Sequence, residues 1–120
     1  MTKAVRGAVQ IENDTPDEIK SGVSELIKAI FRKNDVKEKN IVSIHFSQTA
    51  DLRSMNPAAA LRVNGFSETP LFCSQEPDYE GSQPKIIRVL ITFSSPGRKK
   101  PVPVYIHGAE SLRPDLADKK

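Results

Sequence analysis

The chain is poor in the residues that several kinds of chemistry require. Its 120 residues include one cysteine (Cys73), two histidines (His45 and His107) and no tryptophan. A single thiol excludes an intrachain disulfide framework and suits a reducing compartment. Neither histidine has a second Cys or His at helical or hairpin spacing, so the converging ligands of a metal site are missing. Gly7 and Gly65 stand alone rather than in a phosphate-cradling loop, and there is no Gly-x-Ser-x-Gly elbow. No apolar run approaches the roughly 18 residues of a membrane span. Met1-Thr2-Lys3-Ala4 leads straight into a strand-like segment rather than a signal peptide, so a cytoplasmic location is expected. The net charge of +3 is dispersed, apart from Arg98-Lys99-Lys100 and Lys119-Lys120. No basic stripe interleaves with aromatics, so nucleic acid is not the expected partner.

Apolar patterning supplies the elements. Val5, Val9 and Ile11 alternate with Arg6, Ala8 and Gln10, which predicts a strand over Ala4 to Ile11. Thr15-Pro16-Asp17-Glu18 is a capping box with proline at the first helical position. Behind it Ile19, Val23, Leu26, Ile27, Ile30 and Phe31 form one helical stripe, which Asn34-Asp35 closes. Ile41 to Phe46 alternates again, and Asn56 to Val63 reads as a short helix stopped by Asn64-Gly65. Leu71-Phe72-Cys73, Lys85 to Phe93 and Val102 to His107 complete the strands, and a loose charged tail is expected from about Arg113. This order predicts one domain over 1–120, an α/β (α+β) mixed sheet with helices on one face. The core is mostly aliphatic and modest, so subunit association would bury further surface.

Arg88 stands out within Lys85-Ile86-Ile87-Arg88-Val89-Leu90-Ile91-Thr92-Phe93, where apolar neighbours imply covering on both faces. A charge removed from water costs several kcal/mol unless it is paired. Either a carboxylate of this chain, Glu76 or Asp51, answers it, or an anionic ligand does. Arg6 and Tyr105 also sit on strands, which hold side chains rigidly. Several arginines with one carboxylate and a tyrosine suit a small polyanion bearing a hydroxyl. Plainer readings exist for each residue. Arg6 and Arg62 are surface charges, Glu76 is a solvated loop residue, Tyr105 is an interior tyrosine, Arg113 ties down the tail, and Cys73 is packing rather than a nucleophile.

Val5-Arg6-Gly7-Ala8 followed by the Thr15 helix start resembles the opening of the monofunctional chorismate mutases of the AroH class. The likeness continues through Ser47-Gln48-Thr49-Ala50-Asp51-Leu52, Pro57-Ala58-Ala59-Ala60-Leu61-Arg62 and Pro70-Leu71-Phe72-Cys73-Ser74-Gln75-Glu76. It ends with Ile87-Arg88-Val89-Leu90, Val104-Tyr105 and Leu112-Arg113-Pro114-Asp115-Leu116. The resemblance implies a homotrimeric pseudo-α/β barrel with active sites between subunits. It implies an isomerase that rearranges chorismate to prephenate on the route to phenylalanine and tyrosine, without cofactor or metal. Arg88 would be the central catalytic cation, Arg6 would bind a substrate carboxylate with Tyr105 assisting, and Glu76 with the Cys73 region would receive the ring hydroxyl. Arg62 and the Arg113 region would stand near the mouth, and Ala58 and Phe72 would lie along the pocket. Three positions depart from the family pattern: Asn56 replaces a bulky aromatic, Phe72 a small polar residue and Ala59 a common lysine. A non-catalytic binder on the same scaffold and an imine-hydrolysing deaminase of related architecture are the rival readings.

Overall fold

A computed structural model of the chain describes residues 1–116. Two helices separate the first three of five strands: β1 (Thr2–Gln10), α1 (Pro16–Asn34), β2 (Ile41–Gln48), α2 (Pro57–Arg62), β3 (Leu71–Gln75), β4 (Ile86–Ser94) and β5 (Val104–Ile106). Single 3₁₀ turns occupy Glu38–Asn40 and Ala109–Leu112. The sheet order is β3-β2-β4-β1-β5. Central β4 is antiparallel to both β1 and β2, whereas β3 lies parallel to β2 and β5 parallel to β1. The β2–β3 crossover carries α2, as parallel neighbours require a connection longer than a hairpin. The expected mixed α+β sheet is therefore present.

Local signals set the boundaries. Thr15 caps α1, its hydroxyl accepting from the Glu18 N–H at 3.2 Å, with Pro16 in the first turn. The reciprocal half of the capping box is redirected, because the Glu18 carboxylate accepts from the backbone and side chain of Asn13, each at 2.9 Å. Asp35 ends the helix in the left-handed conformation, and its N–H returns to the Phe31 carbonyl. Asn56 caps α2, its side-chain oxygen accepting from the Ala58 N–H at 2.7 Å. A polar residue at Asn56 thus has a local structural reason.

The core lies between the sheet and α1. Ile19, Val23, Leu26, Ile27 and Ile30 bury against Val5, Val9, Ile44, Phe46, Ile87, Val89, Ile91 and Phe93. Gly7 makes this close approach possible: a Cβ there would meet the Val104 carbonyl oxygen at 2.8 Å and Ile30 Cδ1 at 3.0 Å. Among the described residues, the opposite face is covered only at one end, where Ala8, Ile86, Tyr105 and Ala109 cluster with Leu112 and Leu116. Leu90, next along β4 from Val89, remains 47% exposed. The expectation that both faces of β4 are covered therefore holds for only part of the strand in a single chain. Its register explains why: covering elements reach the Ile86 end and stop short of Leu90. Residues 113–116 form a turn, with the Leu116 N–H donating to the Arg113 carbonyl at 2.9 Å. The rest of the tail expected from about Arg113 lies outside the described residues.

Candidate active site

The strand register gathers the polar residues of the uncovered face into rows. Arg88 on β4 is opposite Ala8 on β1 and Ser47 on β2; Tyr105 on β5 is beside Ala8, and Ser74 on β3 is beside Ser47. One row thus runs Ser74, Ser47, Arg88, Ala8, Tyr105. The next runs Phe72, His45, Leu90, Arg6. Directly opposed positions hold their Cβ atoms about 5 Å apart, so side chains in these rows share one surface. A cavity of about 230 Å³ lies there, lined by Arg6, His45, Ser47, Arg88, Leu90 and Tyr105.

Of the partners anticipated for Arg88, the structure supplies the carboxylate of Glu76. Its Nε is 3.2 Å from Glu76 Oε2, with side-chain exposures of 34% and 16%. Neither terminal guanidinium nitrogen makes a hydrogen bond to a described residue. A native carboxylate stands beside one edge of the fork, and Arg88 lines the cavity. Glu76 follows directly on β3, and its N–H donates to the Gln48 carbonyl at 2.8 Å. Its Oε1 accepts a hydrogen bond from the Ser47 hydroxyl. Asp51, the other candidate for Arg88, is used elsewhere: its carboxylate accepts from the Lys85 N–H and the Thr49 hydroxyl.

Arg113 approaches the same end of the sheet. It pairs with Asp115 through Nη2 at 2.8 Å and Nε at 3.1 Å. The hydrogen bond from Arg113 holds the Asp115 carboxyl below its ordinary range, and the Arg6 charge acts in the same direction. The Arg113 pKa is raised mainly by the hydrogen bond to Asp115, with a smaller electrostatic contribution from Tyr105. Arg113 is therefore within electrostatic reach of the residues around the cavity.

Other anticipated residues lie elsewhere in the single chain. Cys73, between Phe72 and Ser74, is turned by the strand pleat toward the opposite face, level with Phe46 and against the main core. Burial raises its thiol pKa, which disfavours the thiolate a nucleophile needs. Ala58 is buried in that same core at the start of α2, and Arg62 is exposed at its end. Ala59 is half-buried in the middle of α2. Phe72 shares the face of Arg88 but sits on the edge strand, 66% exposed and edge-on to His45 with ring centroids 5.3 Å apart. Ser47 and His45 were not singled out from the sequence. Extending the β2 alternation from Ser43 and His45 to Ser47 would have placed both on the polar face.

A larger groove of about 530 Å³ lies between α1 and the end of β1, but Glu12, Glu18 and Glu25 line it. Lys85 and His107 share that lining, but acidic groups predominate there, whereas the smaller cavity carries two arginines. Among the described residues, no cluster of three or more metal-ligating side chains occurs, and no helix is long and apolar enough to cross a membrane.

Residues 2–116 match the family model for chorismate mutase type I. Chorismate mutase AroH of Bacillus subtilis is 34% identical over 119 residues, spanning 98% of this chain and 94% of that protein. Chorismate mutase AroH of Thermus thermophilus is 35% identical over 118 residues, spanning 97% of each. The solved structure of a chorismate mutase from Clostridium thermocellum superimposes with a TM-score of 0.85 at 38% identity, covering 91% of this chain and 98% of that one. On sequence and fold together, this chain belongs to the type I chorismate mutase family.

Proposed function

We propose that the protein is an isomerase that converts chorismate to prephenate in aromatic amino acid biosynthesis, using the cavity lined by Arg6, Arg88 and Tyr105. The observation that carries this reading is that Arg88, its Nε 3.2 Å from Glu76 Oε2, lines one cavity together with Arg6 and Tyr105. In the rearrangement one C–O bond breaks and one C–C bond forms within a single molecule. No proton, hydride or electron is exchanged with the protein, so the step as written needs neither cofactor nor metal.

The protein can accelerate such a step in two ways. It can confine the flexible substrate to its compact reactive conformer. It can also stabilise negative charge that grows on the ether oxygen as the C–O bond lengthens. Arg88 supplies the second effect. Arg6 holds a carboxylate, assisted by Tyr105, and Glu76 receives the ring hydroxyl. A rate gain of ~10⁶ requires about 8 kcal/mol. One oriented donor supplies roughly 2.7–4 kcal/mol. Conformer restriction must therefore contribute a comparable share, and the rigid strand positions of Arg6, Arg88 and Tyr105 suit that task.

The reading also makes the protein a cytoplasmic homotrimer of single-domain subunits with sites between neighbours. The cavity of about 230 Å³ is smaller than the roughly 300 Å³ at which small-molecule sites usually begin. Leu90 and Phe72 are exposed on the same face, and Ala58, Arg62 and Cys73 lie away from the arginines. A neighbouring subunit that brings its α2 and β3 region over the open face would supply the missing wall. The test is loss of chorismate absorbance with formation of prephenate by the purified protein, alongside its mass by light scattering. Turnover that disappears in Arg88→Ala, on a trimer, is the expected result. Binding of chorismate without prephenate would sink the catalytic reading, and an active monomer would sink the shared site.

A further inference from the structure

Glu76 is held more firmly than a loop residue needs to be. Its N–H extends the parallel β2–β3 ladder by one bond, to the Gln48 carbonyl. Its two carboxylate oxygens are divided between partners: Oε2 faces Arg88 Nε at 3.2 Å, and Oε1 accepts from the Ser47 hydroxyl. Ser47 is directly opposite Arg88 across β2 and β4, is half-buried, and lines the same cavity. A carboxylate turns easily about its last torsion, which has broad minima. With Arg88 as its only side-chain partner, it could swing and carry the guanidinium with it.

We propose that Ser47 is a positioning residue for the reaction, fixing the rotation of the Glu76 carboxylate so that Glu76 aims the terminal nitrogens of Arg88 into the cavity. The inference rests on the reading of Glu76 and Arg88 as site residues. Ser47 touches no reacting atom in this scheme. It acts through a hydrogen bond to a charged group, which is stronger than a neutral one.

The test is steady-state chorismate turnover by Ser47→Ala, Ser47→Thr, Glu76→Ala and the Ser47→Ala/Glu76→Ala double variant, each checked for an unchanged melting midpoint. Ser47→Ala should lower kcat by about 10- to 100-fold, the loss of one hydrogen bond to a charged group, and change KM much less. Ser47→Thr, which keeps the hydroxyl, should recover most of the rate. In the Glu76→Ala background, removing the Ser47 hydroxyl should cost nothing further, because its target is gone. Ser47→Cys, nearly isosteric with a weaker donor, repeats the test should the alanine variant fold poorly. Wild-type kcat in Ser47→Ala, or the same loss with and without Glu76, overturns the inference while leaving Glu76 and Arg88 in the site. Full turnover in Glu76→Ala removes Glu76 from the site, and the inference falls with that reading.

Discussion

The two faces of one sheet divide the packed core from the proposed site. Toward α1, Val5, Val9, Ile44, Phe46, Ile87, Val89, Ile91 and Phe93 form a dry apolar wall closed by the helix stripe. On the other side the same strands present Arg6, His45, Ser47, Arg88 and Tyr105 around a cavity, with Leu90 left 47% exposed. Side chains alternate along a strand, so adjacent residues serve opposite purposes. Val89 is sealed in the core, while Arg88 before it and Leu90 after it belong to the open face. The burial that fixes the first set also holds the backbone beneath the second, which gives a charged site its rigidity.

The comparison breaks most visibly at Arg88. Arg88→Lys keeps the charge but loses the planar fork, and should reduce kcat by at least about 100-fold while the melting midpoint stays near wild type. Near wild-type turnover would erase the distinction between the faces. On the helix side, Phe46→Ala should cost about 3–5 kcal/mol in denaturant unfolding, because it empties a fully buried site. The fraction that remains folded should keep its turnover, and a specific loss of kcat there would mean the faces are not separable. Arg6→Ala should chiefly raise KM, since holding a carboxylate serves ground state and transition state alike; an unchanged KM would remove Arg6 from the site.

The smallest effect lies off both faces, at Asp14. Its carboxylate accepts from the Arg53 N–H at 3.0 Å and from the Ser54 N–H and hydroxyl at 3.0 and 2.8 Å. These bonds, the Arg53 backbone donor first, lower its pKa, so the unfolded chain takes up the proton first as pH falls. The contribution is present above the ordinary carboxylate value of about 3.9 and is lost as pH drops through the depressed folded value. Asp14→Asn should flatten the acid side of the stability profile slightly and leave kcat alone. An unaltered acid profile would show that the clamp contributes nothing.

Much of this was legible in particular residues. The Thr15 cap, the stripe from Ile19 to Ile30 and the Asp35 stop are local, and local energetics fix them to within a residue. The alternation around Arg88 marked a charge among apolar neighbours, and Glu76 was already a candidate partner. The resemblance then put Arg6, Glu76, Arg88 and Tyr105 together, three of them lining one cavity and Glu76 bonded to its edge. Ser47 and His45 were less visible because a serine or histidine on a polar strand face looks the same whether it lies before solvent or before a site. The resemblance grouped the Cys73 region with Glu76; within one chain the pleat turns the thiol to the opposite side of the sheet.

By itself the sequence determined the elements, the helix ends, the aliphatic core and an arginine that needed an anion, because hydrophobic period, capping and the cost of an unpaired charge act over a few residues. Only the tertiary structure decided which strands are neighbours. The β3-β2-β4-β1-β5 order joins residues far apart in the chain, setting Ser47 and Ala8 on either side of Arg88 and leaving the Leu90 region open. Long-range pairing of this kind depends on how whole strands and the helix bury against one another, which no short stretch of residues encodes.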